Sequence, residues 1–432
     1  MTDRICALCS VLVVAGTASA ADYWVSPKGE DRPNRGGKSA PFVTIQYAAD
    51  RVKPGDVVHV VDGEYVGFHV DFSGTPTARI TFVAEGDDVK ITSRNKNTPD
   101  GINVEDAKNV TIDGFLISEM RRAGVRGAHA DGLHVRRVRA DKNREWGIFT
   151  SHCDDAVIEY NIVARSRKQH GIYVSNSGDR PIIRGNVSFG NVSCGIHMNG
   201  DLSQGGDGII SGAVVESNTI YGNGAVGGSG INADGVQNSK FLNNVLYENL
   251  GRGIALFKGD AAGPSKDNLI AYNTIAMPIG SRWAINIKDG STGNVVVNNI
   301  LVHAQASRGP LLTSFDSLTG LASDYNVVAG KFTSNDGDRL LSLENWRSTV
   351  RQDEHSIVAN LDDLFVDPAK GNFRLRAGSP AVAAGDPAHR LKYDRDLRPR
   401  AAGSRPTVGA YEYETKPNEA TLFLPASPPG AD

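Results

Sequence analysis

The stretch that decides the fold is HGIYVSNSGDRPIIRGNVSFGNVSCGIHMNG, His170–Gly200. It holds two copies of one pattern. Gly171-Ile172-Tyr173-Val174-Ser175 alternates apolar and polar residues, as a half-buried strand does. Gly195-Ile196-His197-Met198-Asn199 repeats it 24 residues later. The same Gly-aliphatic pair stands at Gly101-Ile102, Gly124-Val125, Gly147-Ile148, Gly230-Ile231 and Gly253-Ile254, and Ala284-Ile285 continues it. The successive spacings are 23, 23, 24, 24, 35, 23 and 31. A second series marches with the first: Asn161, Asn186, Asn218, Asn244, Asn273, Asn299 and Asn326.

A period of 23–24 residues with short alternating runs predicts a solenoid. Leucine-rich repeats share that period, but their Leu-x-x-Leu-x-Leu pattern is absent. The abundance of Val, Ile, Asn and Gly favours coils of short strands. The expected fold is all-β: a right-handed parallel β-helix over residues 55–335, each coil stacked about 4.8 Å from the last. The Asn series reads as a hydrogen-bonded turn ladder. A solenoid needs caps. TIQYAADRVKPGD (44–56) reads as a short capping helix, with Ile45, Ala48, Ala49 and Val52 on one side, within an N-terminal segment 21–54. Residues 336–414 read as an irregular C-terminal cap with a helix near 341–350, and 415–432 as a flexible Pro-rich tail.

Residues 1–20 read as a secretory signal: Arg4, an apolar run, then Ala18-Ser19-Ala20. The expected location is therefore secreted or periplasmic. No other run is long and apolar enough to span a bilayer. A net charge of -3 gives no electrostatic case for a nucleic-acid partner. Beyond the signal only Cys153 and Cys194 remain, read as buried free thiols. No CxxC or HExxH zinc motif occurs.

Alternation turns every second residue of each Gly-Ile-x-Φ-x strand outward. The first outward column reads Asn103, Arg126, Phe149, Tyr173, His197, Asn232, Ala255, Asn286. The second reads Glu105, Ala128, Ser151, Ser175, Asn199, Asp234, Phe257, Lys288. Four of the ten histidines, His129, His152, His170 and His197, fall on successive coils. A face that was only solvated would favour Thr, Ser, Lys and Glu. This one carries aromatic, imidazole, guanidinium and carboxamide groups that suit a linear sugar polymer.

YWVSPKGEDRPNRGGKSAPFVTIQYAADRVKPGDVVHVVDGEY (23–65) resembles the N-terminal segment of secreted right-handed β-helix proteins. Many of these are polysaccharide lyases of the pectate lyase-like superfamily, including the family 9 type. The ending GSPAVAAGDP…TVGAYEYE resembles their closing segment. The likeness covers about residues 22–414 and implies an enzyme acting on an acidic polysaccharide, as a monomer. Family 9 lyases use calcium held by aspartates and a lysine base. That implies a Ca2+ site on Asp154, Asp155, Asp179 and Asp201. This chain departs from the family at Glu145-Trp146, which lacks the paired acids, and has Tyr173 and His197 where a lysine would stand.

The expected reaction is β-elimination on a uronate polymer. Arg126, or a cation bound by Asp154 or Asp179, would neutralise the carboxylate, His170 or His197 would take the proton, and Tyr173 would supply one or, beside a cation that lowers its pKa, act as the base. His129, His152, Phe149, Asn199, Asn232, Asp234, Lys168, Lys258 and Lys288 would bind substrate, the first two lysines also serving as reserve bases. Hydrolysis by Asp201 with Asp234 or by Asp154 with Asp179, C5-epimerisation, and a non-catalytic carbohydrate-binding solenoid remain open alternatives.

Overall fold

The computed structural model describes residues 20–402 and 405–413. Residues 1–19 of the expected signal (1–20) and the whole expected tail (415–432) lie outside the described residues. The chain is a right-handed parallel β-helix. Three long parallel sheets run its length, and each coil gives one short strand to each. Sheet I has 12 strands, from Asp22–Val25 to Ala322–Asp324. Sheet II has 12, from Gly63–Val66 to Ile357–Val358. Sheet III has ten, from Phe68–Val70 to Leu311–Thr313.

The repeat residues do what the pattern predicts. Ile172 and Val174 point inward and are fully buried, as are Ile196 and Met198 beneath them. The repeating glycine has a steric cause. A Cβ on Gly171 would lie 2.8 Å from the Gly195 carbonyl oxygen and 2.4 Å from Ser188 Oγ. Only hydrogen fits where coils approach this closely.

The Asn series is a turn ladder between sheets I and II. Asn186 Oδ1 accepts from both the backbone and the side-chain N–H of Asn161, and each lower rung repeats the pattern. A second ladder, absent from the sequence reading, runs at the turn between sheets II and III. There Ser166 N–H donates to Asn191, Asn191 to Asn223 and Asn223 to Asn249. Asn is suited to both because one carboxamide both donates and accepts along the axis.

The sheets overrun the expected solenoid limits at both ends. Asp22–Val25 is already a strand, paired with Val57–Val60 before the first coil closes. The capping helix α1, Ile45–Ala49, is short and capped by Thr44, whose side chain accepts from Tyr47 N–H. Its Ile45, Ala48 and Ala49, with Val52, cover the core. Helix α2, Leu343–Val350, closes the other end with Trp346 fully buried on Phe332.

The C-terminal segment does more than cap. Residues 365–410 fold back along the solenoid flank, where Phe365, Phe373 and Val408 pack with Val245, Ile300 and Val327. Arg400 fastens the segment. Its guanidinium donates to Asn243 Oδ1, Thr407 O and Gly409 O, and lies 4.0 Å over the Tyr272 ring. Arg400→Ala is expected to cost about 3 kcal/mol, because it strands buried acceptors. Limited proteolysis checks this: cleavage should appear first within residues 376–413.

Cys153 and Cys194 are free and buried, as expected. Burial pushes the Cys153 thiol up to about 11.

Candidate active site

Strand pairing places the first outward column in register. Asn103, Arg126, Phe149, Tyr173, His197, Asn232, Ala255 and Asn286 occupy successive rungs of sheet III. The second column is in register from Glu105 to Phe257. Lys288 falls just beyond the paired residues and is held by Asp336 at 2.8 Å.

The centre of the face is an aromatic and imidazole cluster. Tyr173 has His197 at 4.7 Å, His170 at 5.1 Å and Phe149 at 5.4 Å between ring centroids. His170 and His197 are 4.4 Å apart. Trp146, which the sequence reading did not select, stacks on Phe149 at 4.4 Å and is pinned by Gln169, which accepts from its indole N–H. Phe149 is thereby covered, and the half-buried Trp146 ring is the outer surface. The missed signal is the column just before each repeat glycine. Trp146 and His170 share it, and both lean over the strand.

Hydrogen bonding assigns the imidazole tautomers. The Cys194 amide N–H donates to His170 Nδ1, and the Asn232 side-chain amide donates to His197 Nδ1. In each neutral ring Nε2 therefore carries the proton. Desolvation holds His197 down to about 4 and His170 well below its ordinary value. Both are neutral N–H donors near pH 7. The expectation that either acts as the base does not match this arrangement. Burial raises Tyr173 above the ordinary phenol value, and its hydroxyl accepts from Asn199 at 3.3 Å. It is a protonated acid at neutral pH.

The folded His197 titrates near 4 and the unfolded side chain near 6.5, so the unfolded chain takes up the proton first. This contribution to stability is complete above 6.5 and is lost as pH falls toward 4. Urea titrations from pH 7 to pH 4 should show the loss. It should be smaller in a His170→Gln/His197→Gln variant, and an equal loss in both proteins would contradict it.

Arg126 is not free for the role expected of it. It pairs with Glu105 at 3.1 Å and donates to Asn103, which also donates to His69. His129 and His152 stack at 4.9 Å at the far edge of the sheet, with left-handed backbones at φ 48 and 51. They form a pair separate from His170 and His197.

The aspartates expected to hold calcium do other tasks. Asp131 accepts from Asp154 N–H, Asp154 from Asp179 N–H and Asp179 from Ser211 N–H, a third turn ladder. Asp154 and Asp155 both hold Arg180. Asp201 caps the short turn at Leu202–Gln204 through Ser203 N–H. Among the described residues no group of three or more His, Cys, Asp or Glu side chains forms a candidate metal site. Asp234 is buried, accepts from Gly259 and Asp260 N–H, and is raised above the ordinary carboxylate value by burial. Lys168 and Lys258 are exposed.

The comparisons agree with this architecture. The family described as right handed beta helix region matches residues 64–205. Among solved structures, pectate lyase Pel9A superposes with a TM-score of 0.62 at 16% identity, covering 92% of this chain and 98% of its own. A rhamnogalacturonan lyase gives 0.53 at 12% identity, covering 83% and 94%. The uncharacterized protein YwoF of Bacillus subtilis (strain 168) is 25% identical over 448 residues, 85% of this chain and 93% of its own length. The chain is thus a right-handed β-helix protein of pectate lyase-like fold. The structural likenesses are of fold, at identities too low to carry an activity.

Proposed function

We propose that this protein is a carbohydrate-active enzyme that cleaves a uronate-containing polysaccharide by β-elimination across the Trp146–His197 face. The observation that carries it is the Tyr173 cluster: a phenol kept protonated by burial, packed against two adjoining imidazoles kept neutral by burial, beside an indole platform. Trp146 stacks on a sugar ring. The Nε2–H groups of His170 and His197 donate to the uronate carboxylate, where negative charge grows as C5 loses its proton. The C5 electron pair forms the new C4–C5 double bond while the C4–O bond breaks, and Tyr173 gives its proton to the leaving oxygen. Lys168 or Lys258, reacting as the neutral amine, takes the C5 proton and becomes the ammonium. Entry of the polymer needs an extracellular or periplasmic location, consistent with the expected signal at residues 1–20.

One observation favours a second reading, hydrolysis. Asp234 is raised by burial, as a general acid requires, and the carboxylates Asp201 and Asp260 are near enough to act on Tyr173. Product analysis on a panel of uronate polymers separates the readings. Elimination gives an ultraviolet-absorbing unsaturated uronate. New reducing ends without that absorbance assign hydrolysis, and retained binding with neither product assigns a binding solenoid.

A further inference from the structure

Sheet III is electrically lopsided. Along its exit edge stand Asp131, Asp154, Asp179 and Asp201. Along its entry edge, in the turns from sheet II, stand Arg121, Arg144, Arg167 and Lys168, then Arg252 and Arg282 further down. Backbone hydrogen bonds stack these turns one above another: Arg144 N–H donates to Met120 O, and Arg167 N–H to Asn143 O. Of these bases, Arg167 is neutralised by Glu119 at 3.2 Å.

Arg252 is the unusual member. It stands in the column before the repeat glycine, the same column that supplies Trp146 and His170. Gly230 N–H donates to its carbonyl, which sets it on the rung below Ser229 and two rungs from His197, about 10 Å. Its side chain is half-buried, yet no hydrogen bond or ion pair satisfies the guanidinium among the described residues. Burial weakens its hold on the proton, and its neighbour Arg282 weakens it further. Asp289 offsets part of that effect, and the guanidinium nitrogens reach solvent, so the group stands open to an incoming anion. The outward column beside it carries Asn232 and Ala255, neither of them charged.

We infer that Arg252 is the anchor for an anionic group of the substrate, a sugar carboxylate or sulfate, carried by a residue of the polymer beyond the one that reacts. The bidentate guanidinium matches either oxyanion, and the polymer then runs along the helix axis from Trp146 past His197 to Arg252. The inference rests on the polysaccharide reading of this face but not on the chemistry of cleavage.

The test is binding by Arg252→Ala and Arg252→Lys variants, measured by calorimetry with a carboxylated oligosaccharide, a sulfated one and a neutral one. Arg252→Ala should weaken the anionic ligand at least about tenfold, flatten the salt dependence of its affinity, and leave neutral-ligand binding unchanged. Arg252→Lys should recover part of the affinity. The unfolding midpoint of Arg252→Ala should stay close to that of the parent, because the guanidinium makes no hydrogen bond or ion pair among the described residues. A lower midpoint with unchanged anion affinity would overturn the inference and make Arg252 structural. Which anionic ligand responds identifies carboxylate or sulfate. If the parent makes no unsaturated product yet binds anions through Arg252, the anchor stands and the lyase reading falls. If elimination proceeds and Arg252→Ala binds as well as the parent, the reverse holds.

Discussion

Tyr173→Phe is expected to lower turnover by about two to four orders of magnitude while leaving the fold intact. The substitution keeps the ring that packs against Phe149, His170 and His197, so the cluster retains its shape. It removes the hydroxyl that burial keeps protonated and that packs beside both imidazoles. The structural cost is one lost acceptor for the Asn199 amide, about 1 kcal/mol. Substrate affinity should change little, since the proposed sugar platform is Trp146. Steady-state kinetics on the best uronate polymer, with urea unfolding as control, checks this. A variant with full turnover would place the acid elsewhere on the helix.

The largest stability effect is expected far from this site. Asn218 sits mid-ladder and fully buried. Its Nδ2 donates to Ile183 O and Asn244 Oδ1, and its Oδ1 accepts the backbone and side-chain N–H groups of Asn186. Asn218→Ala removes all four bonds and strands the Asn186 backbone N–H in a dry turn, while Asn244 Oδ1 keeps only the Asn218 backbone N–H and the Asn186 side chain only Ile158 O. At about 1 kcal/mol per bond the loss is about 4 kcal/mol. It should show as a lower midpoint in urea. A change below about 1 kcal/mol would mean that the ladder is incidental to coil stacking. The same substitution at an exposed turn, such as Asn97→Ala, should cost far less.

These two residues also show what was legible in the sequence. The columns through Tyr173 and Asn218 were readable because a solenoid converts sequence period into spatial neighbourhood. Residues one repeat apart must stack, and strand alternation tells in from out. His197 therefore had to lie one rung from Tyr173. The roles of these residues were less readable. Which imidazole nitrogen holds the proton depends on Asn232 and on the Cys194 amide, partners set by side-chain angles rather than by period. Arg126 reads as a free cation until Glu105, on the neighbouring column, is seen to hold it. Trp146 and Arg252 lie in the column before the glycine, outside the strict alternation, where turn geometry decides direction. Asp154, Asp155 and Asp179 carry the charge a cation needs, but turn amides and Arg180 occupy them. The return of the C-terminal segment along the flank has no period at all. It rests on single contacts such as Arg400 with Asn243, 157 residues apart.

The most direct test of the account is a crystal structure with an acidic oligosaccharide soaked in. The expected density is a sugar ring stacked on Trp146, the next within hydrogen-bond reach of Tyr173, His170 and His197, and an anionic group of a further ring on Arg252. An oligosaccharide ordered at another part of the solenoid, with the Trp146–Arg252 face empty, would contradict it.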